Sequence, residues 1–135
     1  MKMRRKSHLI GAILFAILGY FTWHFIRKTL FLPSDASLIS TLTSIFSMKV
    51  NLFFLMVFSS FFGGILPDIL DPPITSRHRF FAHSKVLLYF LVMMWIISLF
   101  VLLTDPNLLI WTFYFFLLGY ISHLLLDSLT PAGLR

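Results

Sequence analysis

The sequence predicts an all-α membrane protein with four transmembrane helices. Two features of the 135-residue chain carry this prediction: 59% of its residues are apolar against 12% charged, and its mean hydropathy is +0.91. Soluble domains have roughly 45–50% apolar and about 25% charged residues, so a water-soluble monomer is excluded. At one domain's length, residues 1–135 are expected to form a single multi-pass membrane domain.

Four apolar runs are each long enough to cross a membrane. A hydrocarbon core about 30 Å thick needs roughly 17–25 helical residues. Because lipid offers no partner to free backbone groups, a spanning segment must be a helix or a strand of a closed barrel. The runs lack the alternation of barrel strands, which predicts helices. The predicted spans are residues 9–26, 50–66, 86–103 and 108–126.

The segments between the spans have distinct patterns. Residues 32–49 place apolar side chains at helical spacing between Ser and Thr, which predicts a short amphipathic helix in the membrane interface between the first two spans. The Thr-Asp-Pro-Asn sequence at 104–107 predicts a tight turn, so the last two spans should form an antiparallel hairpin. Ser84 is the expected N-cap of the third helix. Tyr20, Trp23, Trp95 and Trp111 are expected partly as interface anchors.

The distribution of Lys and Arg predicts the orientation. With the N-terminus inside, eight of the 11 basic residues fall on cytoplasmic segments and three on outer ones. This bias predicts a protein of the cell (inner) membrane with both termini cytoplasmic. The net charge of +6 is then explained by topology and by attraction to anionic headgroups, so membrane lipid is the expected partner. No nucleic-acid partner is expected, because no basic stripe with interleaved aromatics lies outside the spans. A homo-oligomer is left open.

The scarce Asp and His residues gather at one predicted membrane boundary. The chain has five His, five acidic residues, which are all Asp, and no Cys, so any metal site must use imidazole and carboxylate. The four-span topology brings seven of these ten residues to the inner side, and we expect them as candidate metal ligands. They are His8, Asp68, Asp71, His78, His83, His123 and Asp127.

The spacing within this set has a chemical interpretation and a structural alternative. His123 and Asp127, at i and i+4, project from one helix face, where ionisable groups at membrane depth usually mark a functional site. The alternative is an inter-helix hydrogen bond. Asp68 and Asp71 share a face if the second helix continues past Pro67; otherwise they reflect turn chemistry at its end. Carboxylate and imidazole donors suit Zn, or Mn, as one or two ions, and a bound ion lowers the pKa of its water toward ~7.

Two arginines flank one of the predicted ligands. Arg77 and Arg79 lie on either side of His78 and could hold an anionic substrate group by bidentate contacts. Alternatively, Arg79 anchors the loop to headgroups. A site at headgroup depth would reach a phosphate or ester of a lipid or of another membrane-bound substrate.

Three sequence blocks resemble a known family. They are LPD at 66–68 followed by Asp71, HRFFAHS at 78–84 and GYISHLLLDSLTPAG at 119–133. On these blocks, in order along the chain, the protein resembles the YdjM-like inner-membrane metal-dependent hydrolases of bacteria and archaea, and His8 matches an early histidine of that pattern. Phe80 and Ala82 stand where the family usually has Gly and Thr.

The resemblance implies a membrane-embedded metal-dependent hydrolase that uses these His and Asp side chains as metal or catalytic groups. The catalytic residues so implied are Asp68, His78, His83 and Asp127. Two alternatives stay open. One is a metal-independent lipid phosphatase of the phosphatidic-acid phosphatase type, whose signature is echoed by Ser76-Arg77 and by the spacing of His123 and Asp127. The other is a non-catalytic membrane protein that binds an ion or a partner.

Overall fold

The regular structure of the protein is helical throughout the part that is described. A computed structural model describes residues 5–31, 50–72, 82–130 and 134. These residues form four helices, each long and apolar enough to cross a membrane, which confirms the predicted fold class. The interfacial helix predicted within 32–49 lies outside the described residues. The helices are α1 (Arg5–Phe31), α2 (Val50–Leu70), α3 (Lys85–Thr104) and α4 (Leu108–Ser128).

Helix α2 continues through a proline instead of ending there. Pro67 cannot donate a backbone hydrogen bond, which is tolerated in spanning helices where neighbours pack around the break. Pro67 is itself buried, and its carbonyl oxygen still accepts from the amide of Asp71 at 2.9 Å. The turn that follows the proline is therefore preserved. Asp68 and Asp71 stay on the same side of the helix end, as the continued helix required.

Side-chain caps fix the beginnings of α3 and α4. The Ser84 hydroxyl accepts from the amide of Leu87 at 3.1 Å, which confirms the predicted N-cap. The Asn107 side chain accepts from the amide of Ile110 at 3.0 Å. Residues 105–107 alone separate α3 from α4, and the two helices pack against each other as the predicted hairpin.

Helix α4 is the centre of the bundle. It packs against α1, α2 and α3. Of the residues in its most apolar stretch, 61% are buried, against 22–33% for the other three helices. Its closest neighbour is α2, because glycines remove the side chains between the two backbones. A Cβ on Gly119 would overlap the carbonyl oxygen of Ser60, and one on Gly63 would overlap that of Phe116. Close backbone approach at small residues is the usual way in which membrane helices associate. It brings the ends of α2 and α4 side by side.

Aromatic side chains fill the bundle toward the other end. Trp23 and Trp111 pack edge to face with ring centroids 4.8 Å apart, and Tyr20 contacts both rings. All three are less than 9% exposed, whereas Trp95 is only partly buried. The rings of Tyr20, Trp23 and Trp111 therefore face the bundle core, where mutual stacking and burial stabilise them. Their expected part as interface anchors stays a prediction.

Candidate metal centre

Six of the seven predicted ligands lie in the described part of the chain, and the structure brings all six to one end of the bundle. They come from four segments: the beginning of α1, the end of α2, the residues just before α3 and the last turns of α4. His78, Arg77 and Arg79 lie outside the described residues, so their predicted roles stay predictions. The six are His8, Asp68, Asp71, His83, His123 and Asp127.

The Nε2 atoms of two histidines lie close to the carboxylate oxygens of two aspartates. Nε2 of His83 lies 3.3 Å from Oδ2 of Asp127 and 3.7 Å from Oδ1 of Asp68. Nε2 of His123 lies 3.5 Å and 3.6 Å from the same two oxygens. The two Nε2 atoms are 3.3 Å apart. We call these four atoms the ligand cluster.

The spacing of the ligand cluster suits a tetrahedral cation. Around a zinc ion with ligand distances of about 2.0–2.2 Å, neighbouring ligand atoms are about 3.3–3.6 Å apart. The five distances above, from 3.3 to 3.7 Å, match that edge length closely. Two imidazole nitrogens and two carboxylate oxygens are also donors that Zn and Mn accept. The residues present therefore fit a metal ion, and the ligand atoms of Asp68, His83 and His123 lie close enough together to share one.

A hydrogen bond between helices orients His123. Its Nδ1 lies 2.7 Å from the carbonyl oxygen of Gly64 on α2. Because a carbonyl oxygen can only accept, Nδ1 must carry the proton, which leaves the Nε2 lone pair facing the ligand cluster when the ring is neutral. Metal-binding histidines commonly donate their second ring nitrogen to a carbonyl or carboxylate in this way. His123 therefore has the tautomer that a ligand needs.

Asp71 holds the segment that carries His83. Its Oδ2 accepts from the amide of Ala82 at 2.6 Å and lies 3.7 Å from Nδ1 of His83. On the other side, the hydroxyl of Tyr120 donates to the carbonyl oxygen of Ala82 at 3.3 Å. These contacts connect the residues before α3 to α2 and α4. Asp71 thus faces the ring nitrogen of His83 that points away from the cluster, the place of an orienting carboxylate.

The negative charges of Asp68 and Asp127 need a positive charge nearby, because both carboxylates are at least partly buried. In the described part of the chain, the ion-pair partners of Asp68 and Asp127 are all histidines. Buried carboxylates are costly unless a positive charge lies beside them. Among the described residues, that balance can come from protons on these histidines or from a cation held among them. The side chain of Asp68 is 34% exposed whereas those of the other three are at most 8% exposed, so the cluster is reached from the Asp68 side.

His8 lies against the cluster without joining it. Its ring stacks on His123 with centroids 4.2 Å apart, and its Nε2 lies 3.7 Å from Oδ1 of Asp127, the oxygen that does not face His83. His8, His123 and Asp127 also form a group spaced for a metal. However, His123 has only Nε2 to offer, since Nδ1 is bonded to Gly64. That group therefore shares the Nε2 atom of His123 with the ligand cluster.

Sequence reasoning missed the groups that orient the ligands. Gly64 contributes through its carbonyl oxygen, and Tyr120 through a hydroxyl bonded to the backbone of Ala82. The signal available was indirect: the Gly63-Gly64 pair in an apolar helix indicates close backbone approach, but not which side chain uses the exposed carbonyl.

Comparison of the chain with protein-family models, with curated proteins and with solved structures finds no match. The resemblance to the YdjM-like hydrolases therefore stays a prediction from the three sequence blocks.

Proposed function

We propose that this protein is a membrane-embedded, metal-dependent hydrolase of the YdjM-like type, with one Zn or Mn ion held by Asp68, His83, His123 and Asp127. The observation that carries the proposal is the ligand cluster itself. The Nε2 atoms of His83 and His123 are 3.3 Å apart, and each lies within 3.3–3.7 Å of a carboxylate oxygen of Asp68 and of Asp127. Such clustering of ionisable groups in a membrane protein usually marks a functional site.

Catalysis requires a coordination position beyond those that the protein ligands occupy. Structural zinc sites are closed, whereas catalytic sites keep a position open for water or substrate. Asp68 is the most exposed of the four ligands, and the space beside it is where a further ligand would enter. When bound, the ion would lower the pKa of a coordinated water toward ~7 and so supply hydroxide at neutral pH.

The remaining residues of the site have supporting roles in this proposal. Asp71 and the Gly64 carbonyl orient His83 and His123. His8, whose Nε2 lies 3.7 Å from Oδ1 of Asp127, is placed to accept or donate a proton at that oxygen. Arg77 and Arg79 would bind an anionic group of the substrate, and His78 would complete the site.

The proposed site lies at the cytoplasmic boundary of the cell membrane. The excess of basic residues on the segments predicted to lie at this membrane boundary supports that orientation, with both termini inside. At this depth the reacting group would be a phosphate or ester of a lipid or of another membrane-bound compound.

Metal analysis of the detergent-solubilised protein tests the proposal. We expect about one Zn or Mn per chain, and loss of that ion in His123→Ala and in Asp68→Ala. His24→Ala and Asp105→Ala make the same changes at the other end of the bundle and should keep the ion. Circular dichroism of each variant would check that the helices are intact.

A panel of phosphate and acyl esters then separates the alternatives. Hydrolysis that follows metal content across the variants would support the proposal. A metal-free protein that still cleaves a phospholipid would overturn it in favour of the metal-independent lipid phosphatase. In that case protons on the histidines would balance the charge of the carboxylates. Stoichiometric metal with no hydrolysis across the panel would favour an ion-binding protein without catalysis.

A further inference from the structure

A cavity connects the ligand cluster to the gap between α1 and α2. Its volume is about 220 Å³. Two of its lining side chains belong to the site, and the others are apolar apart from a glycine. The lining residues are His8, Leu9, Gly64, Ile65, Asp68 and Ile69.

The cavity opens on the side of the bundle. Both helices that border it are long and apolar enough to span a membrane. Ile69 at its rim is 64% exposed, while Leu9 and Ile65 are half-buried, so the wall passes from the bundle surface inward to His8. In a bilayer, that surface faces lipid. A molecule could therefore reach Asp68 from the membrane without crossing the aqueous phase.

The lining chemistry selects an amphipathic ligand. An apolar cavity of about 150 Å³ already binds a molecule as large as benzene. The larger cavity here accepts part of a hydrocarbon chain, and its one polar end consists of His8 and Asp68. A chain that passes from bilayer to cavity stays in apolar surroundings, whereas a chain drawn into water would cost about 0.8 kcal/mol per CH₂.

We propose that the substrate is a membrane lipid, whose acyl chain lies in the cavity between α1 and α2 and whose ester or phosphate lies at the His8 and Asp68 end. This inference rests on the proposed function for the reaction, but the lipid site itself stands on the cavity. It predicts lateral entry of the substrate from the membrane, past Ile69.

Photo-crosslinking tests the lipid site directly. The probe is phosphatidic acid with a diazirine in its acyl chain, added to phosphatidylcholine nanodiscs that contain the protein. In the native protein we expect labelling to concentrate at Leu9 and Ile65. Ile69→Trp should fill the rim and reduce this labelling about fivefold or more. Leu70→Trp adds the same ring at the next position, which is exposed but does not line the cavity, and should label as the native protein does.

Labelling that is spread evenly over the exposed helix faces, or that is equal in Ile69→Trp and the native protein, would overturn the inference. The readout needs neither ion nor turnover, so it is separable from the proposed function. Labelling that is concentrated at the cavity in a protein that binds no metal would support the lipid site and overturn the metal-dependent hydrolase.

Kinetics provide a second readout once hydrolysis is established. Ile69→Trp should lose roughly tenfold in kcat/KM for the lipid and much less for p-nitrophenyl phosphate, because only the lipid loses binding energy from its chain. An equal loss for both substrates would contradict an acyl-chain site.

Discussion

Nδ1 of His123 donates to the carbonyl oxygen of Gly64, 2.7 Å away, and this single contact fixes both the tautomer and the direction of the ring. It joins α4 to α2 one turn after Gly119, where the two backbones approach closely. The ring is then held between the stacked His8 and the T-shaped His83. Ligand geometry in this protein is thus set by helix packing.

Asp71→Asn should weaken metal binding without removing the site. The amide oxygen of Asn can still accept from Ala82, but the negative charge beside Nδ1 of His83 is lost. Loss of an orienting carboxylate typically costs about 10–100-fold in metal affinity. Titration of the metal-free protein with Zn²⁺ would measure this, and Asp105→Asn at the far turn is the control. An affinity equal to that of the native protein would show that Asp71 does not position His83.

Removal of the ion should destabilise the bundle. The proposed ligands come from α2, α4 and the residues before α3, so an ion bound to them links these segments only in the folded state. At a free concentration of about 100 times Kd, such an ion contributes about 2.7 kcal/mol. We expect a chelator to lower Tm for the native protein and to leave Tm of His123→Ala unchanged. A chelator effect of the same size in both proteins would contradict a specific ion.

Gly119→Ala should be among the most damaging single methyl additions in the chain. The new Cβ would overlap the Ser60 carbonyl, which is backbone and cannot rotate away, so α2 and α4 must separate. We expect a loss of roughly 2–3 kcal/mol or more, together with loss of metal, since the cluster spans both helices.

Gly11→Ala provides the comparison. There the nearest atom, at 2.5 Å, is the Cδ1 of Leu126, the end of a flexible side chain. Its Tm in detergent should fall less than that of Gly119→Ala. A larger fall in Tm for Gly11→Ala than for Gly119→Ala would show that α2 and α4 can separate at little cost.

Ser60→Ala should remove one inter-helix hydrogen bond. Ser60 is fully buried, and its hydroxyl donates at 2.8 Å to the carbonyl oxygen of Ala12 on α1. Such bonds contribute about 0.6 kcal/mol on average in membrane proteins, with a maximum of about 1.7. Ser59→Ala, which removes a bond within α2 to Leu55, should cost less. Denaturation in mixed detergent would measure the stability of both variants. Equal losses of stability would mean that the hydrogen bond between α1 and α2 contributes no more than the bond within α2.

Cysteine labelling should reveal the orientation. The chain has no Cys, so single cysteines can be introduced without a background. Thr104→Cys, at the α3–α4 turn, should react with an impermeant maleimide in intact cells. Lys85→Cys, at the site end, should react only after permeabilisation, because both termini are proposed to be cytoplasmic. Labelling of Lys85→Cys in intact cells would place the site on the outer side.

Sequence patterns were sufficient for the architecture because lipid imposes a severe constraint on the backbone. Long apolar runs must be helices, and up-and-down topology alone brings the beginning of α1, the end of α2 and the end of α4 to one boundary. The convergence of His8, Asp68, His123 and Asp127 could therefore be predicted from their positions. Capping chemistry at Ser84 is equally local, since it depends on residues three apart.

Contacts between helices could not be read from spacing. Residues 68, 83 and 123 are far apart in the sequence, and no periodicity states which ring nitrogen faces which oxygen. Trp23 and Trp111 show the same limit, because their positions in the sequence do not show that the two rings pack edge to face inside the bundle.

Apolar spanning helices, with most of the rare imidazoles and carboxylates at one end, follow from the sequence alone. The contacts of His83 and His123 with Asp68 and Asp127, and the positions of Asp71 and His8 beside them, follow from the packing of the helices. The physical reason is that hydropathy and helical period fix depth and face along each helix. Distances between side chains depend on how closely the helices approach, and here Gly63 and Gly119 set that approach.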